Sequence, residues 1–154
     1  DICVVTNLPY YITSKIITKI VSSSTPINRL VAMVQKEVAL KLCSEEKSPL
    51  KMMIDYVGDV QYELNVPRHV FMPAPHVDSA VISIHKERVI SQELIDLIEA
   101  SYTAKRKTLY NNLKSLYHDQ TKELLESCGI PVNKRAEELN IDDYIRILER
   151  GHTL

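Results

Sequence analysis

Residues 2–35 read ICVVTNLPYYITSKIITKIVSSSTPINRLVAMVQ, and this stretch decides the fold. The run Ile2–Thr6 is apolar and β-branched, which is typical of a strand buried on both faces. Isoleucines then recur at helical spacing up to Val21, and Arg29–Gln35 is a second apolar run. A strand, a helix and a strand joined by short connections predict a βαβ unit with a parallel sheet and a right-handed crossover.

The pattern changes after this unit. Short helices are predicted over Lys36–Leu42 and Pro49–Val57. In the segments Val60–Val66 and Val77–His85, more apolar and more polar residues alternate. Alternation with a period of two indicates strands with one wetter face. We therefore expect this pair to form an antiparallel edge to the parallel sheet.

The last part of the chain carries only helical signals. They begin at Ser91 and predict further helices over Ala104–Tyr117, Glu123–Cys128 and Asp142–Glu149. The expected organisation is an α/β part over residues 1–89, followed by a small all-α domain over residues 90–154.

Composition narrows the class of protein only partly. The chain has 154 residues, 45% of them hydrophobic, and a formal net charge of -1, so composition alone indicates no nucleic acid. A local basic face can still bind RNA on a neutral protein. Three cysteines and five histidines show no metal-ligand spacing, which predicts no metal site. No apolar run approaches the roughly 20 residues that span a bilayer, so a soluble, cytoplasmic protein without a membrane partner is expected.

Asn7-Leu8-Pro9-Tyr10 follows the first strand and precedes a helix. In open α/β sheets, ligands bind at the carboxyl ends of the strands. The Asn7 side-chain carbonyl and a main-chain carbonyl of the Pro-bent chain can both accept hydrogen bonds from one amino group, while Tyr10 offers a flat ring for a planar base. Two such acceptors aim the lone pair of an adenine N6 at an incoming methyl group without a strong general base. The alternative is a strand-ending turn with a packed tyrosine.

Residues 70–80, VFMPAPHVDSA, contain Phe71, which is the only phenylalanine in the chain. The stiff segment from Pro73 to Pro75 can hold this ring against the second face of an extruded base, where stacking contributes roughly 1–3 kcal/mol. An ordinary connection to an edge strand, with Phe71 in the core, is the alternative. Asp78 is expected to organise the turn into its strand rather than to catalyse.

A locally basic helix is predicted in this neutral chain. Its cationic residues, interleaved with a tyrosine and two asparagines, are Lys105, Arg106, Lys107 and Lys114. Such a face contacts phosphates non-specifically and with strong salt dependence. A solvated helix face without a partner is the alternative.

Five motifs in one order resemble a known family: NLPY, QKEVA at 35–39, VFMPAPHVDSAV at 70–81, KRKTLYNNL at 105–113 and KRAEEL at 134–139. The chain is similar to the adenine N6,N6-dimethyltransferases of small-subunit rRNA, and the erythromycin-resistance methyltransferases of 23S rRNA are relatives. The resemblance covers nearly the whole chain. The last two motifs point to the small-subunit branch, whose substrate is a pair of adjacent adenosines.

The resemblance implies an S-adenosylmethionine-dependent, Rossmann-like methyltransferase domain followed by a helical RNA-binding domain. It also implies a monomer that acts on small-subunit rRNA, in a precursor of a 30S-type subunit, during ribosome biogenesis. By motif position, Asn7 would border the methyl donor and bind the target amine, and Leu8 and Pro9 would provide the main-chain acceptor. Tyr10 and Phe71 would hold the two faces of the base.

The family's donor loop has no counterpart in this sequence. That loop is an acidic-Gly-x-Gly segment, whereas Gly58, Gly129 and Gly151 form no cluster that could cradle a nucleotide. The sequence is therefore expected to begin at the fourth strand of the family's sheet, and to bind S-adenosylmethionine weakly or not at all. Arg68-His69 departs from the proline that commonly follows Val-Pro in the family, so neither residue is given a role.

The main alternative is a non-catalytic RNA- or DNA-binding module on the same scaffold, such as a relative of ribosome-assembly factors or mitochondrial transcription factors. Asn7 and Tyr10 favour catalysis, because a binding protein needs no amine-orienting acceptor. An N6-adenine DNA methyltransferase shares NxPY-type chemistry, but it would not explain KRKTLYNNL or the RAEEL segment.

Overall fold

A computed structural model describes residues 2–153 of the protein, and of Tyr10 it describes only the backbone. The strands are β1 (Ile2–Asn7), β2 (Ile27–Gln35), β3 (Gly58–Val66) and β4 (Ser79–Lys86). The helices are α1 (Thr13–Val21), α2 (Lys36–Cys43), α3 (Pro49–Val57), α4 (Gln92–Ser101), α5 (Leu109–Tyr117), α6 (Thr121–Ser127) and α7 (Ile141–Gly151). Short 3₁₀ turns lie at Tyr10–Ile12, Arg68–Val70, His118–Gln120 and Ala136–Glu138.

The strands form one sheet in the order β1-β2-β4-β3. β1 runs parallel to β2, with Asn7 opposite Met33, and α1 connects the two strands. β4 lies antiparallel to both β2 and β3, with His85 opposite Arg29. The prediction of a parallel pair extended by an antiparallel pair, and then by helices, is confirmed. The prediction that the first strand is buried on both faces is wrong, because β1 is an edge strand and none of the residues Ile2–Asn7 is buried. β3 is the outer strand because β4 pairs directly with β2.

One face of the sheet supplies the core of its unit. Alternate residues of β2 and β4 are fully buried there: Leu30, Ala32, Val34, Ala80, Ile82 and Ile84. Ile17 and Val21, one turn apart on α1, are also fully buried. A register slip of one residue would turn every buried side chain of a strand to the other face. This core therefore fixes the register of β2 against β4.

The chain divides into two compact units. One contains the sheet and comprises the chain up to residue 46 together with Ile54–Ile90. The other comprises Lys47–Met53 and the chain from Ser91 onward, and it contains α4 to α7. The division after Ile90 lies one residue beyond the predicted boundary. The start of α3 groups with the helical unit, which the sequence did not indicate.

The start of α5 corrects the predicted helix over Ala104–Tyr117. The helix begins at Leu109, because the Thr108 hydroxyl accepts a hydrogen bond from the Asn111 amide and caps it. The buried Asn112 side chain accepts a hydrogen bond from the Ala104 amide and donates to the Ala104 carbonyl. Side chains that supply such bonds compete with helical geometry, so the residues before Thr108 form a turn.

Across residues 2–153, none of the helices combines the length and the apolar character that membrane crossing requires. In the same residues, no group of three or more His, Cys, Asp or Glu side chains is placed to hold a metal ion.

Lys86, the last residue of β4, holds the end of α1. Its side chain is buried, and the ammonium group donates hydrogen bonds of 3.0 Å to the carbonyls of Ile20 and Ser23. Both carbonyls lie at the end of α1, where few backbone donors remain, and that of Ile20 also accepts a hydrogen bond of 3.3 Å from the Ser23 amide. Burial also lowers the pKa of the Lys86 amine, because the charged form loses its water.

Lys86→Met should lower the free energy of unfolding by about 1–3 kcal/mol, because it removes two hydrogen bonds that a charged group donates to the end of α1. Urea titration measures this, and Lys41→Met, at an exposed residue of α2, is the matched control. The pKa of Lys86 is lower in the folded chain than the ordinary 10.5, so the folded state loses this proton first as the pH rises. The stability of the wild type relative to Lys86→Met should therefore rise between the lowered pKa and 10.5. A relative stability that falls over that pH range would contradict the assignment.

Candidate functional site

The chain leaves β1 through a turn fixed by main-chain hydrogen bonds. The amide of Leu8, whose side chain is buried, donates to the Met33 carbonyl at 3.3 Å and continues the pairing with β2. The Pro9 carbonyl accepts hydrogen bonds from the Ile12 amide at 3.3 Å and the Thr13 hydroxyl at 3.0 Å. Ile12 is the N-cap of α1, and it makes no side-chain cap hydrogen bond.

A cleft of about 310 Å³ opens at this end of the sheet. Its lining residues come from the β1 turn, β2 and the β3–β4 loop: Asn7, Leu8, Pro9, Met33, Phe71, Pro73 and Pro75. Asn7 is exposed and Phe71 is half-buried, so both side chains can meet a ligand. The structure thus brings Asn7 and Phe71, far apart in the sequence, to the walls of one cleft.

The loop that carries Phe71 is tied at its base by Arg68 and Asp78. The Arg68 amide donates to Asp78 Oδ1 at 2.9 Å, and Arg68 Nε lies 3.6 Å from the same oxygen. Arg68 Nη1 also donates to the His76 carbonyl at 2.7 Å. The Asp78 carbonyl accepts a hydrogen bond of 2.9 Å from the amide of Lys36, the first residue of α2. Arg68 and Asp78 therefore join both ends of the loop to each other and to the sheet unit.

Two residues of this site were missed from the sequence. Met33 lines the cleft because it lies opposite Asn7 in the parallel register, which a single apolar strand does not disclose. Arg68 received no role, although its opposite charge to Asp78 across the loop was a usable signal. The Tyr10 side chain, given a stacking role by the motif, lies outside the described part of the structure.

The basic residues of the helical unit do not share one helix as predicted. Lys105, Arg106 and Lys107 are exposed in the turn before α5, and only Lys114 lies on the helix. The Lys114 ammonium sits 4.4 Å from the centre of the Tyr110 ring. Among the residues that the structure describes, none of these four cations forms a salt bridge. Their charges are therefore available to an external anion.

Comparison with protein families matches residues 1–152 to the family described as ribosomal RNA adenine dimethylase. The ribosomal RNA small subunit methyltransferase A of Fusobacterium nucleatum subsp. nucleatum is 37% identical over 158 residues, which is 95% of this chain and 60% of that protein. The protein of the same name from Bacillus cytotoxicus is 38% identical over 160 residues, or 94% of this chain and 55% of that protein. The chain thus spans 55–60% of the length of these curated relatives.

Two crystal structures have the same fold. A dimethyladenosine transferase from Plasmodium falciparum matches 99% of this chain and 67% of its own, with a TM-score of 0.83 and 23% identity. The 23S rRNA methyltransferase ErmE matches 96% of this chain and 64% of its own, with a TM-score of 0.66 and 22% identity. At such low identity the matches show the fold alone. They confirm the expected methyltransferase-type sheet followed by helices.

Proposed function

Because this chain belongs to the ribosomal RNA adenine dimethylase family, we propose that it forms the target-adenine side of a methyltransferase. The proposed reaction is N6,N6-dimethylation of two adjacent adenosines in small-subunit rRNA during ribosome biogenesis. The enzyme would act as a monomer in the cytoplasm. Membership confirms the resemblance inferred from the five motifs, and the relatives carry the name of small-subunit rRNA methyltransferases.

The cleft at the end of β1 is the observation that carries this proposal. It joins a side-chain amide, Asn7, and an aromatic ring, Phe71, within an otherwise apolar lining of Leu8, Met33 and three prolines. A planar base that carries an amino group needs those two features: a face to stack on and an acceptor for its N–H groups. Adenine N6 is a poor nucleophile because its lone pair is delocalised into the ring. Acceptors on its hydrogens favour a more pyramidal nitrogen, and the gain comes from position and electrostatics.

We assign the main-chain acceptor to Leu8 rather than to Pro9. The Pro9 carbonyl already accepts two hydrogen bonds, from Ile12 and Thr13, and a carbonyl oxygen has two lone pairs. Leu8 is fixed by the hydrogen bond from its amide to the Met33 carbonyl and by its buried side chain. Its carbonyl is therefore held in a constant position at the end of the strand. Stacking by Tyr10 on the base completes the proposed site.

We propose Lys105, Arg106, Lys107 and Lys114 as phosphate contacts to the RNA. All four are exposed. A cation at the end of a flexible stem suits phosphate binding, which positions RNA without reading its sequence. The two units then have separate roles, with base orientation in the sheet unit and backbone binding in the helical unit.

S-adenosylmethionine, which the family implies, would supply the electrophilic methyl group. Of the described residues, Asn7 fits the border of such a site, since its side chain is exposed at the end of β1. The glycines do not fit a donor loop. Gly58 begins β3, Gly129 follows α6 and Gly151 ends α7, so none opens a strand-to-helix turn that could cradle the donor. We infer that most of the donor site must come from residues other than these 154.

The 154-residue chain should therefore bind S-adenosylmethionine weakly or not at all when titrated in a calorimeter. Micromolar binding to this exact chain would contradict the division of the site. In contrast, a protein that carries this chain together with a donor-binding segment should form dimethyladenosine in small ribosomal subunits. Mass spectrometry of the digested rRNA measures the product.

Two outcomes of that assay would overturn the proposal. Dimethyladenosine found in 23S rRNA and absent from small-subunit rRNA would assign the chain to the branch of the family that methylates 23S rRNA. Tight RNA binding without any methyl transfer would favour the non-catalytic binding module instead.

A further inference from the structure

A second cleft, of about 380 Å³, runs along α5 from Tyr110 to the turn that follows the helix. It is lined by Tyr110, Lys114, His118 and Asp119. Tyr110, Lys114 and His118 follow each other at intervals of four residues, so Tyr110 and Lys114 lie on one face of the helix. None of these residues takes part in the proposed adenine site, which belongs to the sheet unit.

The turn that forms the wall of this cleft is held rigidly. His118 has a φ of 50°, which lies in the left-handed region that favours glycine. The His118 carbonyl accepts hydrogen bonds from the Thr121 amide and from the Thr121 hydroxyl, the latter at 2.7 Å. Thr121 is fully buried, so this anchor is protected from water. The His118 main chain at the cleft is therefore anchored to Thr121, the first residue of α6.

The chemistry of the lining suits a nucleotide. The Lys114 ammonium covers one face of the Tyr110 ring at 4.4 Å from its centre, and Lys114 forms no salt bridge within the described residues. Its flexible stem can leave the ring for a phosphate, which frees that face for a stacked base. Asp119 is an acceptor-only side chain with two oxygens. Guanine matches it best, because its N1–H and N2–H₂ donors are adjacent with no acceptor between them.

The cleft continues the basic turn of residues 105–107. Tyr110 is the second residue of α5, so the aromatic side of the cleft closely follows the basic turn in the sequence, and the cleft extends from there to His118 after the helix. A single strand of RNA that follows the helix would meet cations first and the aromatic cleft next. Positive charge along the backbone path with an aromatic side chain for a base is the usual arrangement for single-stranded RNA.

We propose that Tyr110, Lys114, His118 and Asp119 bind one unpaired nucleotide of the RNA, with guanosine preferred. The base stacks on Tyr110 and its edge donates to Asp119, while Lys114 contacts the phosphate. This inference rests on the proposed function for the identity of the ligand as RNA. It adds a second RNA-binding site, which lies in the helical unit and binds a nucleotide other than the reacting adenosine.

The test is an NMR titration of the full chain with guanosine 5′-monophosphate and, separately, uridine 5′-monophosphate. Amide signals of residues 110–119 should shift, and the guanosine nucleotide should bind more tightly. Tyr110→Leu should weaken binding on the order of tenfold, whereas Tyr110→Phe, which keeps the ring, should bind as the wild type does. Asp119→Asn should remove the preference for guanosine and leave uridine monophosphate binding unchanged. Glu123→Gln, at an exposed residue of α6, is the matched control for the loss of one negative charge in Asp119→Asn.

Equal binding by Tyr110→Leu and the wild type, or shifts confined to other residues, would overturn the proposal. Asp119→Asn keeps the test decisive if Tyr110→Leu fails to fold, because Asp119 is exposed. The two proposals fail separately. Methyl transfer without nucleotide binding at this cleft would overturn only the proposal of a nucleotide site. Nucleotide binding without methyl transfer would overturn only the proposed activity.

Discussion

Asn7→Ala should lower the rate of methyl transfer to adenine N6 by about 10²–10³-fold, as loss of one pre-positioned hydrogen-bonding group in an active site does. RNA affinity should change by less than about twofold, because the contact gains its strength in the transition state and the phosphate contacts are untouched. Single-turnover methylation of small ribosomal subunits by the full-length protein, together with filter binding of the same RNA, separates the two effects.

Asn133→Ala is the matched control for this variant. Asn133 is exposed in the turn after α6 and belongs to the helical unit. The substitution therefore removes the same type of side chain from a residue that does not line the adenine cleft. Methylation should be unchanged. Equal losses of methyl transfer and RNA binding in Asn7→Ala would refute the orienting role. A normal rate in Asn7→Ala would mean that the turn after β1 has only a structural role.

Replacing Lys105, Arg106 and Lys107 together by glutamine should weaken RNA binding and flatten its dependence on salt. Each single-strand phosphate contact contributes about 0.7 to the slope of log affinity against log salt, so three lost contacts should reduce the slope by about 2. The three side chains are exposed in a turn and form no salt bridge within residues 2–153, so the fold should tolerate their loss. Filter binding over a range of salt concentrations measures the slope.

The control removes the same charge from other elements. Lys41 of α2, Lys122 of α6 and Arg150 of α7 are exposed, and their joint replacement by glutamine should leave the slope near that of the wild type. If both triple variants flatten the slope equally, net charge governs the binding. An unchanged slope in the variant of residues 105–107 would mean that the turn carries no phosphate contact.

The sheet could be predicted because strand periodicity reports burial directly. In β2 and β4, residues two apart share a face, and the face with Leu30 and Ile82 is the buried one. The parallel pair followed from the short crossover through α1, and the antiparallel pair from alternation. The order of the strands was less accessible, since nothing local in the sequence states that β4 lies between β2 and β3.

The start of α5 could not be predicted from local propensity. Ala104, Lys105, Arg106 and Lys107 are all good helix formers, so the periodic pattern extended the helix over them. The decisive groups are the Thr108 hydroxyl and the buried Asn112 side chain, which reaches back to Ala104 and Ser101. A satisfied buried amide outweighs the small propensity differences of four exposed residues.

The candidate site was predictable as far as its motifs reach. The tetrapeptide that starts at Asn7 lies at a strand end by its own pattern, and Phe71 lies in a proline-stiffened loop. That the two line one cleft depends on strand order and on the pairing of Arg68 with Asp78. These are contacts between distant segments, which a single sequence does not state.

The two edges of the sheet differ in how they would meet another polypeptide. The outer strand β3 carries the exposed charges Asp59 and Glu63, and charged side chains are a common protection against strand addition. β1, at the opposite edge, has no charged residue, and its Ile2 and Val5 are 44% and 75% exposed. Growth of the sheet is therefore directional. β1 therefore offers the less protected edge to strand addition, and β3 the more protected one.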